Sequence, residues 1–339
     1  MKHSIFPMFL VLLFAVSAPL QAASEVNVYS ARIEALIKPL LDRFTEETGI
    51  RVNLVTGSAD ALLQRLIREG RNTPADLFLT TDAGRLIRAK EAGMLQTIAS
   101  ERLDEVIPAH YRDDEGMWYG LSMRARFLVY APDRVDVSGL ESYADLADPK
   151  WRNKICVRSS DNVYNQSLTA ALLAHQGEQV TESWARGLVA NFARRPSGGD
   201  RDQITATAVG QCDIAMVNTY YLAMMLAGSD ANQREMAEKL QVLWPDQEGN
   251  GTHVNISGAG VVHTARNRDA AVQLLEFLVS DESQRWYAET NHEYPIKEGI
   301  ALSPVLESWG EFTADQLPLH LLGKHNADAV RLMDRAGWQ

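Results

Sequence analysis

Between Val26 and Gly93, short apolar strands and amphipathic helices follow one another with almost nothing in between, which restricts the possible folds severely. Val26-Asn27-Val28-Tyr29-Ser30 alternates like a strand, and residues 33–48 then carry Leu36, Leu40 and Phe44 at helical spacing. Thr48-Gly49 ends that helix, and residues 50–55 return as a strand. Residues 59–69 form a second helix stopped by Gly70, residues 75–80 a third strand, and residues 82–92 a third helix closed by Gly93. Strands linked by helices at such short intervals predict a doubly wound α/β sheet with helices on both faces. Sheets of this kind bind ligands beyond the carboxyl ends of their strands. That edge would hold Tyr29-Ser30-Ala31-Arg32 and Thr80-Thr81-Asp82.

A second α/β unit starts near Phe127-Leu128-Val129-Tyr130. Its strand 154–158 runs through Ser159-Ser160-Asp161-Asn162-Val163-Tyr164 into a helix marked by Leu168, Leu172 and Leu173. Another strand, 211–217, is followed by Asn218-Thr219, a helix cap in front of Tyr220-Tyr221. After the polar, Gly-rich loop 246–252, strand 258–263 and helix 267–280 resume the style of the first unit. A chain of 339 residues suits two domains of about 100–200 residues each. The expected architecture is therefore two α/β lobes, each a doubly wound sheet flanked by helices, joined by a hinge that the chain crosses more than once. Residues 23–126 with 252–301 form the N-terminal lobe, and residues 127–251 with 302–339 the C-terminal lobe.

Lys2 and His3 precede an apolar run from Ile5 to Val16, and small residues follow up to Ser24. A basic start, a short apolar middle and a small-residue end read as a signal peptide over residues 1–22, cut after Ala22. The run is shorter than the ~20 apolar residues that span a bilayer. Export to the periplasm places Cys156 and Cys212 in a disulfide-permissive space, and two thiols are too few for a four-cysteine zinc or iron–sulfur site. With 33 basic and 44 acidic residues, net −11, the chain lacks the basic excess of a nucleic-acid protein. Two lobes in an exported chain without a catalytic signature suggest a solute-binding protein.

Tyr220 and Tyr221 open a helix side by side, so packing both into the core needs two neighbouring aromatic pockets. Tyr164 also stands on a first helical turn just after a strand, so three phenols converge on the strand ends of one lobe. Phenolate is a hard anionic donor, suited to small, highly charged cations. A free tyrosine has a pKa of ~10, and only a strong Lewis acid replaces its proton near neutrality. Ferric ion fits: three tyrosinates cancel its charge and leave positions for an anion. Arg32 follows the first strand, and Arg124 and Arg126 lie where the chain passes between lobes, so they offer a cationic cradle for that anion; solvated ion pairing is the ordinary alternative. Backbone N–H groups at residues 161–163 offer a further anion site. His253 reads as a structural hydrogen-bonder. His292-Glu293 lacks the second histidine of a zincin helix, Ser159-Ser160 lacks a nucleophile elbow, and Gly198-Gly199-Asp200 lacks a phosphate-loop pattern.

Over nearly the whole mature chain the sequence resembles the periplasmic ferric-ion-binding proteins of bacterial ABC iron importers, type II-like, transferrin-like solute-binding proteins. The resemblance runs through Val28–Arg32, Thr73–Asp76, Asp82–Leu86, Arg124–Arg126, Cys156–Ser160, Tyr164–Leu168, Asn218–Tyr221, Gly251–Gly258 and His292–Pro295. It implies Tyr164, Tyr220 and Tyr221 as iron ligands. Many members add a His or a His-Tyr pair after the first-strand arginine, where this chain has Ile33-Glu34; Glu34 is thus a possible ligand. The tyrosine-rich branch that uses carbonate implies Arg32 and Arg124 as the anion holders. The expected protein is a non-enzymatic, monomeric ferric-iron carrier serving an inner-membrane ABC permease. Two alternatives stand beside it. One is a binding protein for an organic or oxyanion solute held by the same tyrosines and arginines, and the other an exported enzyme with a tyrosine-ligated metal.

Overall fold

A computed structural model describes residues 25–339; the expected leader, residues 1–22, lies outside the described residues. The first stretch contains β1 (Glu25–Ser30), α1 (Lys38–Thr48), β2 (Arg51–Thr56), α2 (Ala59–Glu69), β3 (Leu77–Thr80), α3 (Ala83–Glu91), α4 (Glu101–Val106) and β4 (Tyr119–Tyr130). The middle holds β5 (Ile155–Cys156), α5 (Val163–Ala190), α6 (Asp200–Ala208), β6 (Ile214–Asn218), α7 (Thr219–Ala227), α8 (Ala231–Glu238) and β7 (Gln241–Leu243). The chain ends with β8 (Val254–Val261), α9 (Arg268–Leu278), α10 (Asp281–Glu289), β9 (Tyr294–Pro295), α11 (Pro304–Ser308), α12 (His320–Lys324) and α13 (Asn326–Ala336). None of the described helices is long and apolar enough to cross a membrane.

The main strand order is β2-β1-β3-β8-β4-β6-β5. Strands β1, β2 and β3 run parallel, as helix-linked strands must, whereas β8 and β4 pair antiparallel and return the chain. Strand β4 belongs to both lobes: from Tyr119 to Ala125 it pairs with β8, and from Arg126 to Tyr130 with β6. One strand of 12 residues thus carries the crossing that the sequence reading placed between two units.

The apolar alternation of β4 explains how it serves both faces of the second lobe. Leu128 packs with Trp151, Ile155, Leu168, Ile214 and Leu332 on one side. Phe127 and Val129 pack with Ile204, Val217, Leu222 and Met225 on the other. Helices α5 and α13 cover the first face, and α6 and α7 lie over the second. The first lobe buries Val26, Val28, Phe44, Leu77, Phe78, Leu274 and Leu275 in one core. At ~25 cal/mol per Å² of apolar surface, these clusters are the main favourable term holding each lobe together.

Three local expectations are corrected. The helix expected over 33–48 is broken, with a single tight turn at Glu34–Leu36 before α1. Strand β8 begins at Val254, four residues early, because residues 254–257 pair with β4 from Ala125 back to Ser122, while Gly258 and Gly260 let neighbouring backbone approach: a Cβ there would lie 2.6 Å from the Tyr119 carbonyl and 2.5 Å from that of Met117. Leu319 and Leu322 join the core of the first lobe, so the segment beyond residue 302 bridges the lobes. A Cβ on Gly323 would meet Ile87 of α3 at 2.5 Å.

Candidate functional site

Two helix starts aim the three phenols at one place. Asn162 caps α5, its side chain accepting the Tyr164 backbone N–H at 3.2 Å, which fixes Tyr164 on the first turn. Strand β6 ends in Asn218, and α7 begins at once, setting Tyr220 and Tyr221 at its first turn. The Tyr164 and Tyr220 hydroxyls lie 3.1 Å apart, and the Tyr220 and Tyr221 rings sit at 4.2 Å between centroids. Tyr164 and the Tyr220-Tyr221 pair are brought together across 56 positions of sequence.

The register between them is set by parallel pairing of β5 with β6, Cys156 opposite Ala215, and by the Cys156–Cys212 disulfide. The Cα atoms of the bridged cysteines are 5.9 Å apart. The strand that leads to Tyr164 is thereby stapled to the turn that leads into the strand of Tyr220.

Burial pushes the Tyr220 phenol well above the usual range, and repulsion from Tyr164, Tyr221 and Asp200 adds to it. Tyr221 is raised too, again mainly by burial, then by Tyr164 and Asp200. Without a cation these two phenols hold their protons. Positive charge is nonetheless close. The Arg124 and Arg158 guanidiniums lie 5.5 Å from the Tyr164 ring centre and that of Arg126 lies 5.9 Å away. Burial disfavours the Arg158 charge, but Asp200 and the three tyrosines more than offset it.

Arg158 carries no role in the sequence reading, although it stands in the segment Cys156–Ser160. Its proximity follows from the bend between β5 and α5, which no periodicity reports. Asp200 appears in the sequence only as part of a turn without a phosphate-loop pattern. It is fully buried, accepts from Arg126 at 3.2 Å and Arg158 at 3.4 Å, and takes the Asn218 backbone N–H at 2.7 Å. A buried carboxylate between two guanidiniums fixes both of them beneath the phenols.

The expected anion holders are placed as follows. Arg124 gives one nitrogen to Asp82, and its Nη1 is buried without a partner. Arg126 is committed to Asp200, Asn218, Asn165 and the Met216 carbonyl, leaving only Nε unpaired. Arg32 is buried and paired with Glu293 at 2.8 Å. Burial disfavours its charge, yet Glu293, Tyr287 and Tyr220 together raise its pKa. Glu34 is exposed on the turn after β1, and no hydrogen bond or ion pair joins it to the phenols among the described contacts. At residues 161–163 the Asn162 N–H is already given to the Ser159 carbonyl. Asn218 stands at the N-cap of α7 but does not cap it; its Oδ1 accepts from Arg126 and its amide nitrogen is unpartnered.

Arg124, Arg126, Tyr164, Asn218 and His253 line a cavity of about 10 Å³ beside the phenols. That is room for one oxygen-sized acceptor. Arg124 Nη1, Arg126 Nε and Asn218 Nδ2 are all buried donors without an acceptor. Burial, with Arg126 and Arg124 nearby, pushes His253 down to about 3, so its imidazole is neutral at physiological pH. Its backbone carries the structural bonds expected of it, from N–H to the Tyr143 hydroxyl at 3.2 Å and from the Arg126 N–H to its carbonyl at 2.9 Å. Among the described residues no cluster of three or more His, Cys, Asp or Glu side chains suits a metal. The phenols are the metal-competent donors of this groove.

Known proteins share this arrangement of chain. The family model described as bacterial extracellular solute-binding protein matches residues 72–311. "Iron uptake protein A1" of a Synechocystis strain is 46% identical over 93% of this chain and 88% of its own length. The "Major ferric iron-binding protein" of Neisseria meningitidis is 26% identical over 95% of this chain and 96% of its own. Among solved structures, the Trichodesmium protein (IdiA, FutA) in complex with iron and citrate ligands has a TM-score of 0.89 at 47% identity. That match covers 93% of this chain and 100% of the other. A ferric binding protein from Campylobacter jejuni also reaches 0.89, at 35% identity, over 93% and 100% of the two chains.

Proposed function

The chain belongs to the bacterial extracellular solute-binding proteins, and from that premise we propose that it binds ferric iron in the periplasm and delivers it to an ABC permease. The observation that carries this reading is the meeting of Tyr164, Tyr220 and Tyr221 at one point, with hydroxyls 3.1 Å apart between the first two. Three phenolates neutralise a trivalent ion, and their hard oxygens suit it. Relatives whose names state iron uptake or ferric iron binding support the same cargo.

Iron arrives as substrate and displaces the phenol protons. Burial keeps the protons of Tyr220 and Tyr221 on until the cation comes. Arg158, Arg124 and Arg126 offset the negative charge that develops on Tyr164. Arg124 Nη1 and its unpartnered neighbours supply donors to an anion that completes the iron coordination; carbonate and citrate both have the hard oxygens required. Arg32, held by Glu293, feels the charge of Tyr220 and would approach the anion from the first lobe, whereas Glu34 is exposed on its turn.

The leader over residues 1–22 would be removed on export, and the carrier would act as a non-enzymatic monomer whose closed form the permease reads. His253, which lines the groove, is held at about 3 by burial and is a poor base near neutrality, which favours binding over turnover.

Equilibration with excess ferric citrate followed by desalting tests the reading. One iron per chain is expected, with retention improved by bicarbonate. Iron at background level, or equal uptake by the Y164F/Y220F/Y221F variant, would instead favour the organic or oxyanion ligand.

A further inference from the structure

Asp82 ends the strand–turn segment that the sequence places at the ligand edge, yet nothing so far uses it. It is fully buried at the start of α3. Its Oδ1 accepts the Gly84 backbone N–H at 2.9 Å, as a helix cap should. Its Oδ2 collects three further donors from three other elements. They are the Ser167 hydroxyl of α5 at 3.0 Å, the Asn255 amide of β8 at 2.9 Å and Arg124 Nη2 of β4 at 3.4 Å. Asn255 in turn accepts the Ala83 N–H at 3.0 Å, closing the circuit onto the same helix start.

A carboxylate with no exposure is costly unless every lone pair is used, and a helix cap alone would not need it sunk this deep. Its partners are informative. Arg124 is one of the three guanidiniums around the Tyr164 ring, and it keeps a buried nitrogen without an acceptor beside it. Ser167 sits three residues after Tyr164, on the same face of α5. One carboxylate of the first lobe therefore holds both the arginine above Tyr164 and the helical turn below it.

We propose that Asp82 is a positioning residue for iron: it couples the first lobe to the phenol site by orienting Arg124 and anchoring Ser167. The inference rests on the ferric reading above. When the first lobe comes down, α3 carries Asp82 with it, and the hydrogen bond to Ser167 makes the seating of Tyr164 depend on the closed arrangement. Losing that bond leaves the same three phenols as donors but loosens the seat of Tyr164, which uncouples their grip on iron from closure.

The test measures iron loss from loaded full-length protein to excess EDTA, followed through the visible tyrosinate band, with the radius of gyration recorded before and after loading. S167A should keep the position of the band and release iron about tenfold faster, the scale of one hydrogen bond to a charged group. S167T, which keeps the hydroxyl, should return to the rate of the unaltered protein. D82N should release faster still and compact less on loading. Unaltered rates in both S167A and a folded D82N would overturn the proposal while leaving the ferric reading intact. If D82N does not fold, the S167A and S167T pair decides alone. Absence of the band from the unaltered protein would overturn both.

Discussion

A phenol becomes a metal ligand only when something takes its proton, and the surroundings of Tyr220 make that harder rather than easier until a cation is present. His253 is the complementary case, a base kept neutral by burial beside two arginines. Its pKa in the fold, about 3, lies below the ordinary value of 6.5. The stability it contributes is thus complete above pH 6.5 and is lost as pH falls from there toward 3. For the iron-free protein we expect about 1.4 kcal/mol lost per pH unit over that window from this residue, and a visibly flatter slope in H253N. Urea unfolding midpoints from pH 7 to pH 4 check it; parallel slopes in the two proteins would contradict it. The tyrosines could be read in the sequence because two of them are adjacent and all three follow strands. Arg158 and Asp200 could not, since their roles come from guanidinium and carboxylate meeting across 42 positions. Arg32 was placed at the right edge of the sheet, but its partner Glu293 is 261 positions away.

At the level of elements, the site depends on where β5 and β6 stop. Strand β6 runs straight into α7 and β5 reaches α5 through residues 157–162, and each helix carries a tyrosine as its second residue, so any slip in the pairing of β5 with β6 separates Tyr164 from Tyr220. The Cys156–Cys212 disulfide guards that register and also closes a loop of 56 residues. Reduction should lower the unfolding free energy by about 4 kcal/mol, the chain-entropy value for such a loop. Denaturant titrations with and without reductant measure this, and coincident curves would contradict it. Most strands and helices were readable because their apolar residues recur at two or at three and four positions. The length of β4 was not, because Arg124 and Arg126 interrupt the apolar pattern. Both are nevertheless buried, each paired with a buried carboxylate, Asp82 and Asp200. Likewise the early start of β8 lay hidden behind glycines that mark close backbone approach rather than a loop.

Across the whole molecule, two lobes share β4, and the tyrosines belong to one lobe while Arg32, Glu293 and Asp82 belong to the other. On the proposed reading, capture and closure are separable: the second lobe would take iron from solution, and the first would set how long it stays. An acidic chain of net −11 draws cations in general, so discrimination rests on the phenols and not on the charge of the surface. Resonance Raman spectroscopy of the iron-loaded protein, excited within its visible band, addresses those phenols themselves. Ring modes of iron-bound tyrosinate should be enhanced in the unaltered protein, weakened in each of Y164F, Y220F and Y221F, and lost when all three are replaced. Tyrosinate modes that persist unchanged in Y220F, or an iron-loaded protein with no such modes, would contradict it.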